Sequence, residues 1–145
     1  MNKKQLIIAL GMVFICALPL FAQEKHPIDK FEEECISKNS TTAGMANCTY
    51  EARKKWDAEM NKYYKLLMGL LDKMGQDKLR ESQRVWIKFR DAEFENIENM
   101  YHQRATMYIP IRSGDRKDIV EQRALQLKSY YEESKEYYEE LRNSK

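Results

Sequence analysis

The sequence predicts an all-α protein: an antiparallel helical hairpin, a third long helix (a small three-helix bundle) and one N-terminal disulfide. Three observations predict it. Apolar residues recur at three- and four-residue steps over long stretches, the repeat of an amphipathic helix. The break near residue 75 is short enough to favour an antiparallel return of the chain. Nothing beyond the first segment alternates at the period of two that a half-buried strand needs.

That first segment is a leader. Lys3 and Lys4 give it a positive start, Leu6 to Phe21 is an uncharged apolar run, and Leu20-Phe21-Ala22 ends it on a small residue. This is the pattern of a secretory signal peptide cut after Ala22, and the run is short for a membrane span. Cys16 offers a lipid-attachment alternative, but Ile15 stands where a small residue is wanted. Residues 23–145 then form a single helical domain, with its core at about 35–141. The expected location is periplasmic or secreted, with no stable membrane span after cleavage.

The leader also changes the charge balance. The chain has 25 Lys+Arg and 23 Asp+Glu, and removing Lys3 and Lys4 leaves 23 of each. A neutral exported chain has no general electrostatic reason to seek nucleic acid. Three cysteines become two, Cys35 and Cys48. In an oxidising compartment these pair, the alternative being two free thiols. Thirteen residues of unbroken helix would hold them roughly 20 Å apart, whereas a disulfide needs Cα atoms about 4.4–6.8 Å apart. The chain must therefore turn back between them, in the stretch from Ser37 to Gly44.

The elements follow in order. Residues 23–29 are a polar tail, and Phe31 to Ile36 form a short helix held by the disulfide. Thr41 or Thr42 caps a long helix whose stripe is Met45, Cys48, Ala52, Trp56, Met60, Tyr63, Leu67, Leu70 and Met74. Gly75 stops it and Asp77 caps the next, which carries Leu79, Trp86, Phe89, Ile97, Met100 and Tyr101. Residues 102–117 read as a basic loop, because Ile109-Pro110 disfavours helix and Ser113-Gly114-Asp115 is a turn signal. Asp115 then caps a third helix over Val120, Ala124, Leu127, Tyr131, Ser134, Tyr138 and Leu141.

The second helix has one unusual face. Gln83, Trp86 and Arg90 fall together at helical spacing, where a plain core would place leucines. Such a face either buries a satisfied polar network or presents a binding surface. Elsewhere the chemistry is sparse. The histidines, His26 and His102, have no ligand spacing, so neither a metal nor any cofactor is expected. Glu98 and His102 fit a surface pair better than a catalytic one, and no Gly-rich phosphate loop exists. The expectation is a protein that is not an enzyme.

Cys35, Thr42, Met45 and Cys48 are followed by Asp57, Asn61 and Tyr64, and then by Gln83, Trp86, Arg90 and Asp91. Met107 to Pro110 and Arg123, Leu127 and Tyr130 close the pattern. In this order and spacing the chain resembles the lysozyme inhibitor LprI N-terminal domain family of exported bacterial proteins, over about Cys35 to Tyr130. That family often has a cysteine shortly after its Arg-Asp pair and another before its last helix. Here those places read Ala92-Glu93-Phe94 and Ser113-Gly114-Asp115, which leaves the 102–117 segment without a covalent tie.

The resemblance implies a module that binds a protein partner and inhibits lysozyme. The alternative is a structural or envelope-stress protein that binds another exported partner and has no enzyme target. For the shared polar residues Asp57, Asn61, Tyr64, Gln83, Trp86, Arg90 and Asp91, a structural role is expected: a network across the hairpin centred on Arg90 and Asp57. Partner binding is then expected from Arg104, Tyr108, Arg112 and Arg116 in the basic segment, and from Tyr130 and Tyr137 on the last helix.

Overall fold

A computed structural model describes residues 25–102 and 104–143. The leader expected over residues 1–22, and the lipid alternative at Cys16, lie outside the described residues. The described chain is helical, with α1 (Pro27–Lys38), α2 (Thr42–Leu70), α3 (Lys73–Tyr101) and α4 (Tyr108–Asn143). The bundle thus has four helices and not three, because the short N-terminal segment extends into a helix that packs on the others. No helix among the described residues is long and apolar enough to cross a membrane.

Pro27 begins α1, where its fixed φ suits a first turn and its missing N–H costs nothing. The Cys35–Cys48 disulfide ties α1 to α2, with Cα atoms 5.6 Å apart. The turn between them is tight. A Cβ at Gly44 would lie 2.6 Å from the Asn39 carbonyl oxygen, so the return requires glycine there. Thr41 caps α2 by accepting the Gly44 N–H at 3.0 Å.

The α2 stripe is buried as its spacing predicts, from Cys48 through Ala52, Trp56, Met60 and Tyr63 to Leu67. It ends sooner than expected. Asp72, not Asp77, caps α3, accepting the Gly75 N–H at 2.8 Å, and Gly75 lies inside the first turn of α3. Gln76 explains the early stop: its side-chain amide donates to the Met68 and Leu71 carbonyls at 3.1 and 3.0 Å, satisfying the end of α2. Met74 therefore belongs to α3 and is exposed.

The correction at the other end is larger. Residues 108–117 are helix and not loop. Pro110 sits in the first turn of α4, where no hydrogen-bonded N–H is needed. Glu98 of α3 then accepts from Arg112 at 2.5 Å and from Arg116 at 2.7 Å, and Tyr101 stacks on Tyr108. These contacts outweigh the local turn preference of Ser113-Gly114.

α2 and α4 run parallel and lie closest together, with Ala124 fully buried between them. Trp56, Met60, Tyr63, Leu67, Val120 and Leu127 fill the rest of this core. α1 and α3 run antiparallel to that pair, one on each flank. On the α1 flank, Lys117 bonds Glu32 at 3.1 Å and Glu121 at 3.2 Å, and His26 stacks on Trp56. Burial disfavours the Lys117 ammonium, but the two carboxylates outweigh it and hold its pKa above the usual lysine range. α3 meets α4 and reaches α2 through long side chains, although only two residues connect α2 and α3.

Two expectations follow. Reducing the disulfide, or replacing Cys35 and Cys48 by Ser, should lower stability by about 3 kcal/mol and shift Trp56 fluorescence as α1 loosens; an unchanged melt would mean that α1 is held by packing alone. Glu98→Gln should cost about 1 kcal/mol, since its carboxylate is partly exposed, with a loss that shrinks as salt is added. Thermal melts at low and high ionic strength measure this, and a salt-independent loss would show that charge is not what holds the clasp.

Candidate functional site

The inner face of α3 repeats every four residues as Trp86, Arg90, Phe94 and Glu98, with Gln83 one turn earlier. Planar and charged groups replace the leucines of an ordinary seam, and Ile97 is the one fully buried residue of α3. Guanidinium groups fill the space. Arg90 lies over Trp86 at 5.5 Å and over Phe94 at 5.9 Å. Arg53 from α2 and Arg116 from α4 approach the same Phe94 ring at 5.2 and 5.6 Å. Stacks of this kind contribute about 0.5–2 kcal/mol each.

Arg90 does not cross to Asp57. It donates to Asp91 of its own helix through Nε at 2.9 Å and Nη2 at 2.6 Å. Asp57 accepts instead from the Asn61 amide at 3.1 Å, within α2. Arg90 and Asp57 line the same groove, but each is engaged within its own helix. The link that does cross the bundle runs through α4. Arg123, 7% exposed, donates through Nε to Gln83 Oε1 at 3.1 Å and through Nη2 to Ser82 Oγ at 3.2 Å, and it also donates to Gln126. Its guanidinium lies 6.0 Å from the Trp86 ring. Every one of these acceptors is neutral. Burial lowers the Arg123 pKa, and Tyr130 works in the other direction.

The space between α2 and α3 is an open groove of about 520 Å³. Asp57, Met60, Asn61 and Tyr64 line it from α2; Arg80, Gln83, Arg84, Ile87 and Arg90 line it from α3. Five residues of the expected polar network therefore share one groove, half-buried or exposed, while Trp86 and Asp91 stand beside it. Arg80 and Arg84 were not singled out from the sequence. The signal for them was present, because Arg80, Arg84 and Lys88 form a row at four-residue spacing. Arg80 is engaged by Asp77 and Gln76, whereas Arg84 makes only a 3.4 Å contact from Nε to the Arg80 carbonyl.

The expected partner-binding residues are placed differently. Arg112 and Arg116 are held by Glu98, and Arg104 lies over the Tyr101 and Tyr108 rings. These groups brace the α3–α4 connection. Tyr130 and Tyr137 are exposed on α4. No cluster among the described residues has the makings of a metal site.

No curated protein sequence matches the chain. A crystal structure of an uncharacterized protein from Burkholderia thailandensis superposes with a TM-score of 0.71 at 29% identity, covering 76% of this chain and 56% of that one. This chain thus spans just over half the length of that relative. The family described as lysozyme inhibitor LprI matches residues 35–127, from the first cysteine of the disulfide to the last core leucine, and the chain belongs to that family.

Proposed function

We propose that this is an exported helical protein-binding module that inhibits lysozyme, with the α2–α3 groove and its α3 rim as the contact surface. One observation carries the reading. The residues that mark the family, Asp57, Asn61, Tyr64, Gln83 and Arg90, converge on an open groove instead of burying one another. Scaffold residues with that many hydrogen-bonding groups are normally satisfied internally. Here Asn61 is exposed and Asp57, Tyr64, Gln83 and Arg90 are half-buried, bonded in part within the protein yet lining the open groove.

The electrostatics suggest how such a surface would act on a lysozyme. From Arg53 to Arg90 the chain has eleven Lys and Arg against five Asp and Glu, so this stretch is basic, while Asp91, Glu93, Glu95 and Glu98 make the rest of α3 acidic. A glycosidase of this kind depends on two carboxylates, one of which must be protonated to act as the acid. A guanidinium docked beside them would hold that acid ionised. Arg84, on the rim and with its terminal nitrogens uncommitted to any described residue, suits that role. The acidic stretches of α1 and α4 would face the basic remainder of such an enzyme.

A second reading rests on Tyr130 and Tyr137, which leave aromatic surface exposed along α4 and would suit a different exported partner. Because Val120, Ala124 and Leu127 are core, α4 cannot be deleted to test it. Tyr130→Ala with Tyr137→Ala is the appropriate change, read by pull-down from an envelope fraction.

The direct test is a cell-wall lysis assay with c-type lysozyme. The wild-type protein should slow lysis, and Arg84→Glu should weaken inhibition about tenfold, roughly 1.4 kcal/mol, with an unchanged melting temperature. Absence of inhibition at large excess would remove the lysozyme reading and leave the envelope partner.

A further inference from the structure

We propose that the α2–α3 groove is a carboxylate receptor for an acidic segment of a protein partner, and that buried Arg123 gives it this polarity. The proposal rests on the groove being the contact surface and adds the chemistry of what it accepts.

The argument begins with Arg123, whose guanidinium can donate but not accept. It is buried beside Gln83, and its other partners are the neutral Ser82 and Gln126. The Gln83 amide must therefore turn its oxygen toward Arg123. That sends Nε2 the opposite way, into the groove, where its protein contact is the Met60 thioether at 3.6 Å. A thioether is a weak acceptor, so a strong N–H donor at the groove floor is left poorly matched. Which end of an amide is nitrogen is often ambiguous; here the obligate donor fixes it.

The walls repeat the imbalance. The Arg84 terminal nitrogens have no protein acceptor among the described residues. Arg90 spends Nε and Nη2 on Asp91 and leaves Nη1 without a described acceptor. Asp57 is the one acid of the lining, and the Asn61 amide already donates to it. The groove thus presents converging donors with few acceptors among them. A carboxylate, which only accepts, complements that arrangement, and planar bidentate pairing with guanidinium adds geometric selectivity. The basic excess of residues 53–90 extends the match to an acidic segment rather than a single group.

Gln83→Glu tests this in a way that misfolding cannot imitate. The new carboxylate would pair with Arg123, so the melting temperature should rise. The groove would lose its floor donor and gain a negative charge, so acidic ligands should bind at least tenfold more weakly. Acetylated hexaglutamate is the ligand, hexaglutamine the control, and nitrogen-edited NMR of the full protein the readout. Hexaglutamate should shift the Gln83 side-chain amide pair and the Nε–H signals of Arg84 and Arg90, and hexaglutamine should not. In the free protein, an NOE from the Gln83 amide protons to the Met60 methyl group should report the orientation that Arg123 imposes. Arg84→Gln, an exposed change, should weaken hexaglutamate binding several-fold. Equal binding of hexaglutamine, unchanged affinity in Gln83→Glu or Arg84→Gln, or shifts confined to other surfaces would overturn the proposal. No lysozyme is present in these measurements, so failure of the inhibition reading would be seen separately.

Discussion

The close parallel approach of α2 and α4 sets the rest of the structure. Ala124 adds little side-chain bulk between the two backbones, and Trp56 and Leu127 are fully buried in the same core. Dense apolar packing of this kind gains dispersion energy as well as removing area from water. Once that pair is fixed, the other helices have only its flanks. α1 takes one flank with a disulfide and the Lys117–Glu32 pair, and α3 takes the other with stacked guanidinium groups. The groove exists because the third side of the triangle, between α2 and α3, is the loosest.

Much of this was legible in the sequence, and what was not has a common cause. The stripe from Cys48 to Leu67 is a purely apolar signal at helical period, and every member is buried. The cysteine spacing required a reversal, and Thr41 with Gly44 makes it. Caps and boundaries were harder. Asp72 and Asp77 are equally good caps in isolation, and the choice depended on Gln76 reaching back to α2. Residues 108–117 have the local chemistry of a turn, yet Glu98, fourteen positions before Arg112, makes them helix. Such cases turn on partners that are distant in sequence.

The polar face of α3 illustrates the same limit at the candidate site. Spacing brought Gln83, Trp86 and Arg90 together correctly, but it could not say which helix they would address. Treating α2 as the partner led to a bond between Arg90 and Asp57. The chain instead joins Gln83 to Arg123 on α4 and leaves the α2 side open. Net charge misled in a similar way. The overall balance conceals a basic stretch from Arg53 to Arg90 set against acidic stretches in α1, the second half of α3 and the end of α4. Family membership fits this division, since residues 35–127 include the whole groove lining and stop before the acidic end of α4.

The parallel pairing of α2 with α4 also governs when the protein can fold. Tyr63 and Tyr131, whose rings meet across the seam, are sixty-eight positions apart in the chain. Contacts this distant in sequence require a large loop to close before any core energy is gained, which slows folding. The α1–α2 return is local and its disulfide closes over only thirteen residues, so it can form early, but it holds little of the core. A growing chain therefore has no stable nucleus until α4 is nearly complete. For a protein proposed to be exported, that delay is useful. On the proposed export, the chain would cross unfolded, and α4 would complete the core afterwards.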